Sequence, residues 1–283
     1  MTIVGRALGA ARCISLPRER EGSALNLRQT ALHWLAAGRP AMVVEVASAH
    51  GSVPRDPGTR MLVAHDDVQG TIGGGHLELN AITDARAKFG QTFEQRIALG
   101  PSLGQCCGGA LTLLYSPLDA AALARWPEEP PLFTLQLYGA GHVGRAIVRL
   151  LDTLDCRVTW IDEREAQFPA EANAPHIERL CTEPVDAEVA AAPPGCHYLV
   201  LTHSHDLDLA LSLAILKRAD FAWFGLIGSK TKRARFEHRL AERGISPALL
   251  ARMTCPIGLP GIDSKAPEVV AVAVVAQLLQ VAR

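Results

Sequence analysis

Two cysteines stand side by side in Gly104-Gln105-Cys106-Cys107-Gly108-Gly109, immediately ahead of the apolar run Leu111-Thr112-Leu113-Leu114-Tyr115. Neighbouring side chains on an extended segment point to opposite faces, so the pair makes a poor claw for a tetrahedral ion and a better mount for one soft sulfur. A thiol among free backbone amides has its pKa drawn below about 8.5, and the thiolate is a ligand for soft metals. The alternative is a pair of thiols packed as small hydrophobes in a glycine-lined turn. Three other stretches carry groups suited to anions. Arg55 lies between Pro54 and Pro57, which restrict the loop that presents it. Gly73, Gly74 and Gly75 run into a helix start, where backbone N–H groups are free to meet an anion. Gly228, Ser229 and Lys230 open another helix in the same way.

A fourth stretch names a fold. Gly139-Ala140-Gly141-His142-Val143-Gly144 follows the alternating strand Phe133, Leu135, Leu137 and precedes a helical pattern of Val143, Ile147, Leu150 and Leu154. The next strand, with Val158 and Trp160, ends at Asp162, about 20 residues past the glycines, where a ribose hydroxyl would sit. Gly139, Gly141, Gly144 and Asp162 are therefore candidate nucleotide contacts. Strands at Tyr198 to Thr202 and Phe221 to Ile227 extend the sheet, and their carboxyl ends carry His203-Ser204-His205-Asp206 and the Gly228 loop. His203 and His205 form only half of an HxHxDH metal motif, since Leu207 and Asp208 stand where Asp and His are required. The Gly228 stretch lacks the earlier glycine of a P-loop, and no GxSxG nucleophile turn occurs.

Ahead of this region, Leu27, Ala31, Trp34 and Leu35 predict a helix over roughly 24–37. Strands are expected at Ala41 to Ala47, Arg60 to Ala64 and Val68 to Ile72, a helix from about Leu77, and a strand pair at Phe93 to Leu99 and Leu111 to Tyr115. Residues 118–131, with Trp126-Pro127-Glu128-Glu129-Pro130-Pro131, have linker composition. The chain thus divides into a mixed α+β domain over 1–117, a linker over 118–131 and a Rossmann-like, doubly wound parallel-sheet domain over 132–283; the fold class is α/β.

The 283 residues carry 28 Lys and Arg against 29 Asp and Glu, so no global field steers the chain to nucleic acid or an anionic membrane. The amino-terminal residues lack the apolar core of a secretory signal, and Val269 to Ala282 is too short to span a bilayer. A cytoplasmic protein is expected. Seven cysteines, an odd number, argue for reduced thiols, with Cys13, Cys156, Cys181, Cys196 and Cys255 read as small core residues.

Taken in order, Gly51-Ser52-Val53-Pro54-Arg55, Gly70-Thr71-Ile72-Gly73-Gly74-Gly75-His76-Leu77-Glu78, Gly104-Gln105-Cys106-Cys107-Gly108-Gly109, the Gly139–Gly144 fingerprint and Pro256-Ile257-Gly258-Leu259 resemble the xanthine dehydrogenase accessory proteins, the XdhC family of molybdenum cofactor chaperones. The resemblance implies a non-enzymatic carrier. It would bind the molybdenum–molybdopterin cofactor as cargo, hold it while a cysteine desulfurase installs the sulfido ligand, and deliver it to the molybdenum subunit of xanthine dehydrogenase, commonly as a homodimer. On that reading Cys106 or Cys107 contacts molybdenum, with Gln105 beside them, and Arg55, Gly73–Gly75 and Gly139–Gly144 donate to phosphate and pterin. A nucleotide would occupy the Rossmann crevice. His76 follows the glycine triplet at a position that varies in that family and receives no role. Two further readings compete: an NAD-dependent oxidoreductase using the Rossmann fingerprint, and a thiol redox sensor using Cys106 and Cys107.

Overall fold

The computed structural model describes residues 27–99, 108–128, 130–171 and 173–282. They divide into one compact unit ending at Pro131 and a second beginning at Leu132.

The first unit is built on a five-stranded antiparallel sheet. Its elements in chain order are α1 (Leu27–Ala36), β1 (Met42–His50), β2 (Arg60–Val63), β3 (Val68–Gly70), α2 (Gly75–Ala87), β4 (Phe93–Ala98), β5 (Ala110–Pro117) and α3 (Ala120–Ala124). The strand order is β3-β2-β1-β5-β4, with β1 at the centre. Successive side chains of a strand face opposite sides, and here both sides are covered. Met42, Val44, Val46, Met61 and Val63 pack with Leu77, Ala81 and Ala85 of α2 on one face. Val43 and Leu62 pack with Ala31 and Trp34 of α1 on the other. A bulge between Val46 and Ser48 shifts the β1–β5 register, after which His50 pairs with Ala110. A bulge bends its strand and re-aims the residues beyond it.

The stretch 118–131 differs from the expected linker. Its alanines form α3, a residue type with the highest helix propensity, and the Asp119 carboxylate caps that helix by accepting from Ala122 N at 2.7 Å. Leu118, Ala122, Leu123 and Trp126 are buried with α1. The Arg60 guanidinium stacks 5.1 Å from the Trp126 ring centroid while its Nε and Nη2 pair with Glu45 at 3.1 and 2.9 Å. Proline content marked this segment as loose, whereas its apolar residues fix it to the sheet.

The second unit is the expected parallel α/β fold. It runs β6 (Thr134–Tyr138), α4 (His142–Leu151), β7 (Arg157–Asp162), β8 (Ile177–Cys181), α5 (Glu188–Ala191), β9 (His197–Val200), α6 (His205–Arg218), β10 (Trp223–Leu226), α7 (Lys230–Ala241), α8 (Pro247–Ala251), β11 (Met253–Thr254) and α9 (Pro267–Val281). All pairings are parallel in the order β11-β10-β9-β6-β7-β8. The order reverses between β6 and β9, which opens a crevice at their carboxyl ends, the usual ligand position in open α/β sheets. Leu135, Leu137, Val158, Trp160 and Leu199 pack under α4 and α9 on one face. Tyr138, Ile161, Tyr198, Val200, Phe224 and Leu226 pack with the apolar sides of α6 and α7 on the other. Cys156, Cys196 and Cys255 are core residues, as expected, but Cys181 is exposed at the end of β8.

A buried ion pair ties the loops after β9 and β10 together. Asp208, 1% exposed, accepts from Lys232 Nζ at 2.5 Å, from Thr202 Oγ1 at 2.7 Å and from Thr202 N at 3.1 Å. Lys232 Nζ also donates to the Ile227 carbonyl at 2.7 Å. Removing one partner of such a pair strands the other charge in a medium that solvates it badly. Lys232→Met is therefore expected to cost about 3–5 kcal/mol. The double variant Lys232→Met with Asp208→Asn should recover part of that loss. Chemical denaturation of both variants checks this, and equal losses would show that the stranded carboxylate is not the cause.

His197, 6% exposed at the start of β9, has no hydrogen-bond partner for either ring nitrogen. Burial holds its pKa below the ordinary histidine value, with the nearby Thr134 backbone opposing this in part. On acidification below about 6.5 the unfolded chain takes up a proton that the folded chain refuses, so stability declines until the lower folded pKa is reached. Well above about 6.5, where both states are neutral, the residue contributes no slope. His197→Phe should flatten the fall in unfolding free energy between pH 7 and 5, measured by urea titration; an unchanged slope would place the acid sensitivity elsewhere.

Candidate functional site

In the second unit the glycine fingerprint has three distinct physical roles. Gly139 lies at φ +119°, and a Cβ there would sit 2.3 Å from the Leu201 carbonyl oxygen. A Cβ on Gly144 would sit 2.1 Å from the Gly139 carbonyl oxygen, so only glycine lets α4 begin so close to β6. Around Gly141 no atom lies within 4 Å of such a Cβ. The first and third glycines serve packing, and the second borders open space, the condition under which a ligand could come close to the backbone. Gly141 is the N-cap of α4 and supplies no side-chain cap, leaving the first amides of that helix for an anion.

Asp162 is at the end of β7, one strand away, as the sequence predicted. Its carboxylate, however, is filled from within the chain. Oδ2 accepts from Ala140 N at 2.7 Å and Arg164 Nη2 at 3.0 Å, and Oδ1 accepts from Arg164 N at 3.0 Å and Arg164 Nε at 2.9 Å. Four donors meet the roughly four lone-pair sites of a carboxylate. Burial works against its charge, but Arg164 and the two amides prevail and hold the carboxyl below its ordinary pKa. Asp162 thus clamps the glycine loop. Its neighbour Glu163 adds its charge to the field that raises the Arg164 pKa and meets His203, whose Nε2 lies 3.4 Å from Oε1. Both line a small crevice with apolar walls that include Ile161, Val185 and Leu207.

Gly228, Ser229 and Lys230 follow β10, on the other side of β9 from β6. This puts them about two strand spacings, roughly 10 Å, from the glycine turn along the same edge. Their contacts are mostly internal. Ser229 Oγ caps α7 by accepting from Lys232 N at 3.2 Å. A Cβ on Gly228 would meet Lys232 Cδ at 2.5 Å, so this glycine makes room for the lysine stem. Lys230 is exposed. Among the described residues no cluster of three His, Cys, Asp or Glu side chains is arranged to hold a metal ion.

In the first unit, Arg55 and the glycine triplet are brought together. Gly73 lies at φ +129° with Pro54 so close that a Cβ would sit 2.6 Å from its Cγ, and Arg55 is the exposed next residue. The triplet's own anion is partly supplied: Glu78 Oε2 accepts from Ile72 N at 3.0 Å, Gly74 N at 3.1 Å and Thr71 Oγ1 at 2.5 Å. The Glu78 carboxylate therefore shapes the turn, and Gly75 and His76 lie exposed at the start of α2. Gln105, Cys106 and Cys107 lie outside the described residues. The described ends of that connection are paired, with Leu99 N donating to the Gly109 carbonyl at 2.8 Å. Gly109 lies against the end of β1, where a Cβ would sit 2.4 Å from Ser52 O and 2.6 Å from His50 O.

Sequence reasoning did not single out Glu78, Glu163 or the Asp208–Lys232 pair. Glu78 had a local signal, an acid in the first turn of a helix that follows three glycines. Glu163 had none beyond its place next to Asp162. Asp208 and Lys232 are 24 residues apart, and only the parallel sheet order brings their helices together.

Comparison with known proteins bears on the whole of this arrangement. Residues 135–278 match the XdhC Rossmann domain, and residues 34–96 match the XdhC and CoxI family. A curated relative, the uncharacterized protein YqeB of Escherichia coli (strain K12), is 28% identical over 250 residues, covering 86% of this chain and 43% of that protein. The chain therefore spans less than half the length of that relative. A crystal structure of a xanthine dehydrogenase from Bacillus halodurans superposes with a TM-score of 0.71 at 19% identity, over 90% of this chain and 95% of the other. At that identity the likeness is one of fold. No helix among the described residues is long and apolar enough to cross a membrane. The Rossmann match alone covers half of the sequence, and with the second match ahead of it in the same order the chain belongs to the XdhC family.

Proposed function

We propose that this protein is a molybdenum cofactor carrier that acts in the maturation of xanthine dehydrogenase. It binds the molybdenum–molybdopterin cofactor as cargo, protects it while a cysteine desulfurase provides sulfur, and passes it to the molybdenum subunit of the dehydrogenase. It works as a homodimer in the cytoplasm and turns over no substrate of its own. The observation that carries this reading is membership of the XdhC family across both units. Supporting it are the sulfur chemistry of Cys106 and Cys107 and two sets of backbone donors suited to phosphate: the Gly141 opening before α4, and the α2 start beside exposed Arg55.

A second reading, an NAD-dependent oxidoreductase, draws on the same glycine turn. It needs an acceptor for the ribose hydroxyls at Asp162, and the four donors already on that carboxylate weigh against it.

The test is to express the full chain in cells that make the cofactor and to quantify molybdenum by mass spectrometry and oxidised pterin by fluorescence. One equivalent of each is expected. Absence of pterin together with micromolar NADH binding would transfer the assignment to the oxidoreductase. Cys106→Ala or Cys107→Ala should lower cofactor retention while leaving the melting temperature nearly unchanged. Full loading of both variants would end the role of the thiols.

A further inference from the structure

In the first unit the sheet ends on β4, which pairs with β5 alone. Backbone groups of an antiparallel strand turn alternately to its two sides. Leu99 N donates to the Gly109 carbonyl, and in the same register Phe93, Gln95 and Ile97 stand opposite Tyr115, Leu113 and Leu111. The N–H and C=O groups of Glu94, Arg96 and Ala98 therefore point away from the sheet, and among the described residues no backbone group meets them. Such an edge is a template for one more strand. Its two faces differ. Glu94, Arg96 and Ala98 are exposed, and neither charge has an ion pair or a hydrogen bond among the described residues. Phe93 and Ile97 are half-buried against the core beneath α2, where the Phe93 and Tyr115 rings stack with centroids 4.2 Å apart.

The strand's own sequence selects the occupant. In Phe93-Glu94-Gln95-Arg96-Ile97, opposite charges and two apolar side chains stand symmetrically about Gln95. A second copy laid antiparallel along the edge, with a twofold axis at Gln95, sets Glu94 opposite the second copy's Arg96 and Phe93 opposite its Ile97, each pair twice. The outward amides and carbonyls of Glu94 and Arg96 then meet their counterparts as hydrogen-bonded pairs, using the groups that the β5 ladder leaves free. Neighbouring registers fail on charge. An axis at Arg96 sets arginine against arginine, and one at Glu94 sets glutamate against glutamate, both unfavourable when directly opposite. An apolar extended peptide would gain the backbone bonds and leave both charges unanswered.

We propose that β4 is the edge through which two copies of this chain join, in the register that pairs Glu94 with Arg96 about a twofold axis at Gln95, so that the two antiparallel sheets continue into one. This deepens the homodimer of the carrier reading, resting on it for the copy number alone, and uses neither the cofactor nor the thiols.

The test measures the particle mass of the full chain by light scattering during gel filtration over micromolar concentrations. A dimer is expected. Glu94→Arg and Arg96→Glu each turn two attractive pairs into two repulsive ones, and each should weaken dimerisation by at least about tenfold. Mixing the two variants restores opposite charges at every pair, so the equimolar mixture should dimerise like the parent chain, as should the exchanged chain with both substitutions. Recovery in either setting supports the proposal and shows that the single variants lost pairing, not folding. A monomeric parent chain overturns it, as does a dimer that both variants leave intact, or variants that stay monomeric both when mixed and when combined in one chain. Particle mass does not depend on cargo: dimeric protein without molybdenum and pterin counts against the carrier alone, and monomeric protein that holds both counts against the edge alone.

Discussion

The carboxyl edge of the Rossmann sheet is organised by an approach of backbone to backbone that side chains would forbid. Helix α4 starts so near the turn out of β6 that the Gly139 carbonyl lies where a Cβ of Gly144 would be, 2.1 Å away. That approach consumes polar groups that must then be satisfied. The Gly139 carbonyl accepts from Trp160 Nε1 at 3.0 Å, and Ala140 N donates to Asp162. The residue that in a dinucleotide site would turn to the ribose is thereby drawn into holding the turn, and Arg164 completes its shell. The glycine turn and the clamp on it follow from one steric constraint.

Much of this was legible in the residues because it is local. Periodicity placed α1 over Leu27–Ala36 within a predicted 24–37, and the alternating strands and glycine turn announced β6, α4 and β7 in order. Side-chain destinations were less legible. Gly228 and Ser229 looked like phosphate contacts, yet one accommodates the Lys232 stem and the other caps α7, because a lysine three to four residues on folds back to a buried carboxylate. The glycine triplet at Gly73–Gly75 looked open to an outside anion, yet Glu78 reaches back to two of the turn's amides. In both cases the chain supplied its own counter-group. Composition misled in 118–131, where prolines suggested a tether and Leu118, Ala122, Leu123 and Trp126 instead bury a helix against α1.

The cysteines separate by environment. Burial pushes the Cys156 thiol up to about 12 and Cys196 to about 11, and it raises Cys255 as well, so these sulfurs stay protonated and behave as hydrocarbon. Cys181 is exposed, but burial of its thiol and the Glu165 carboxylate beside it also raise its pKa. A soft anionic sulfur is disfavoured at all four described positions; Cys13, Cys106 and Cys107 lie outside the described residues.

The central place of β1 has a consequence for synthesis. Its two neighbours are β2, which begins ten residues after β1 ends, and β5, which does not begin until Ala110. As the chain emerges from the ribosome, β1 can zip onto β2 at once while its other side stays an unpaired row of amides and carbonyls until Pro117 has been made. Such an open ladder invites pairing with another nascent chain, and long-range closure of this kind is slow. The intervening α2, laid across Met42, Val44 and Met61 before β5 arrives, shields one apolar face during that wait.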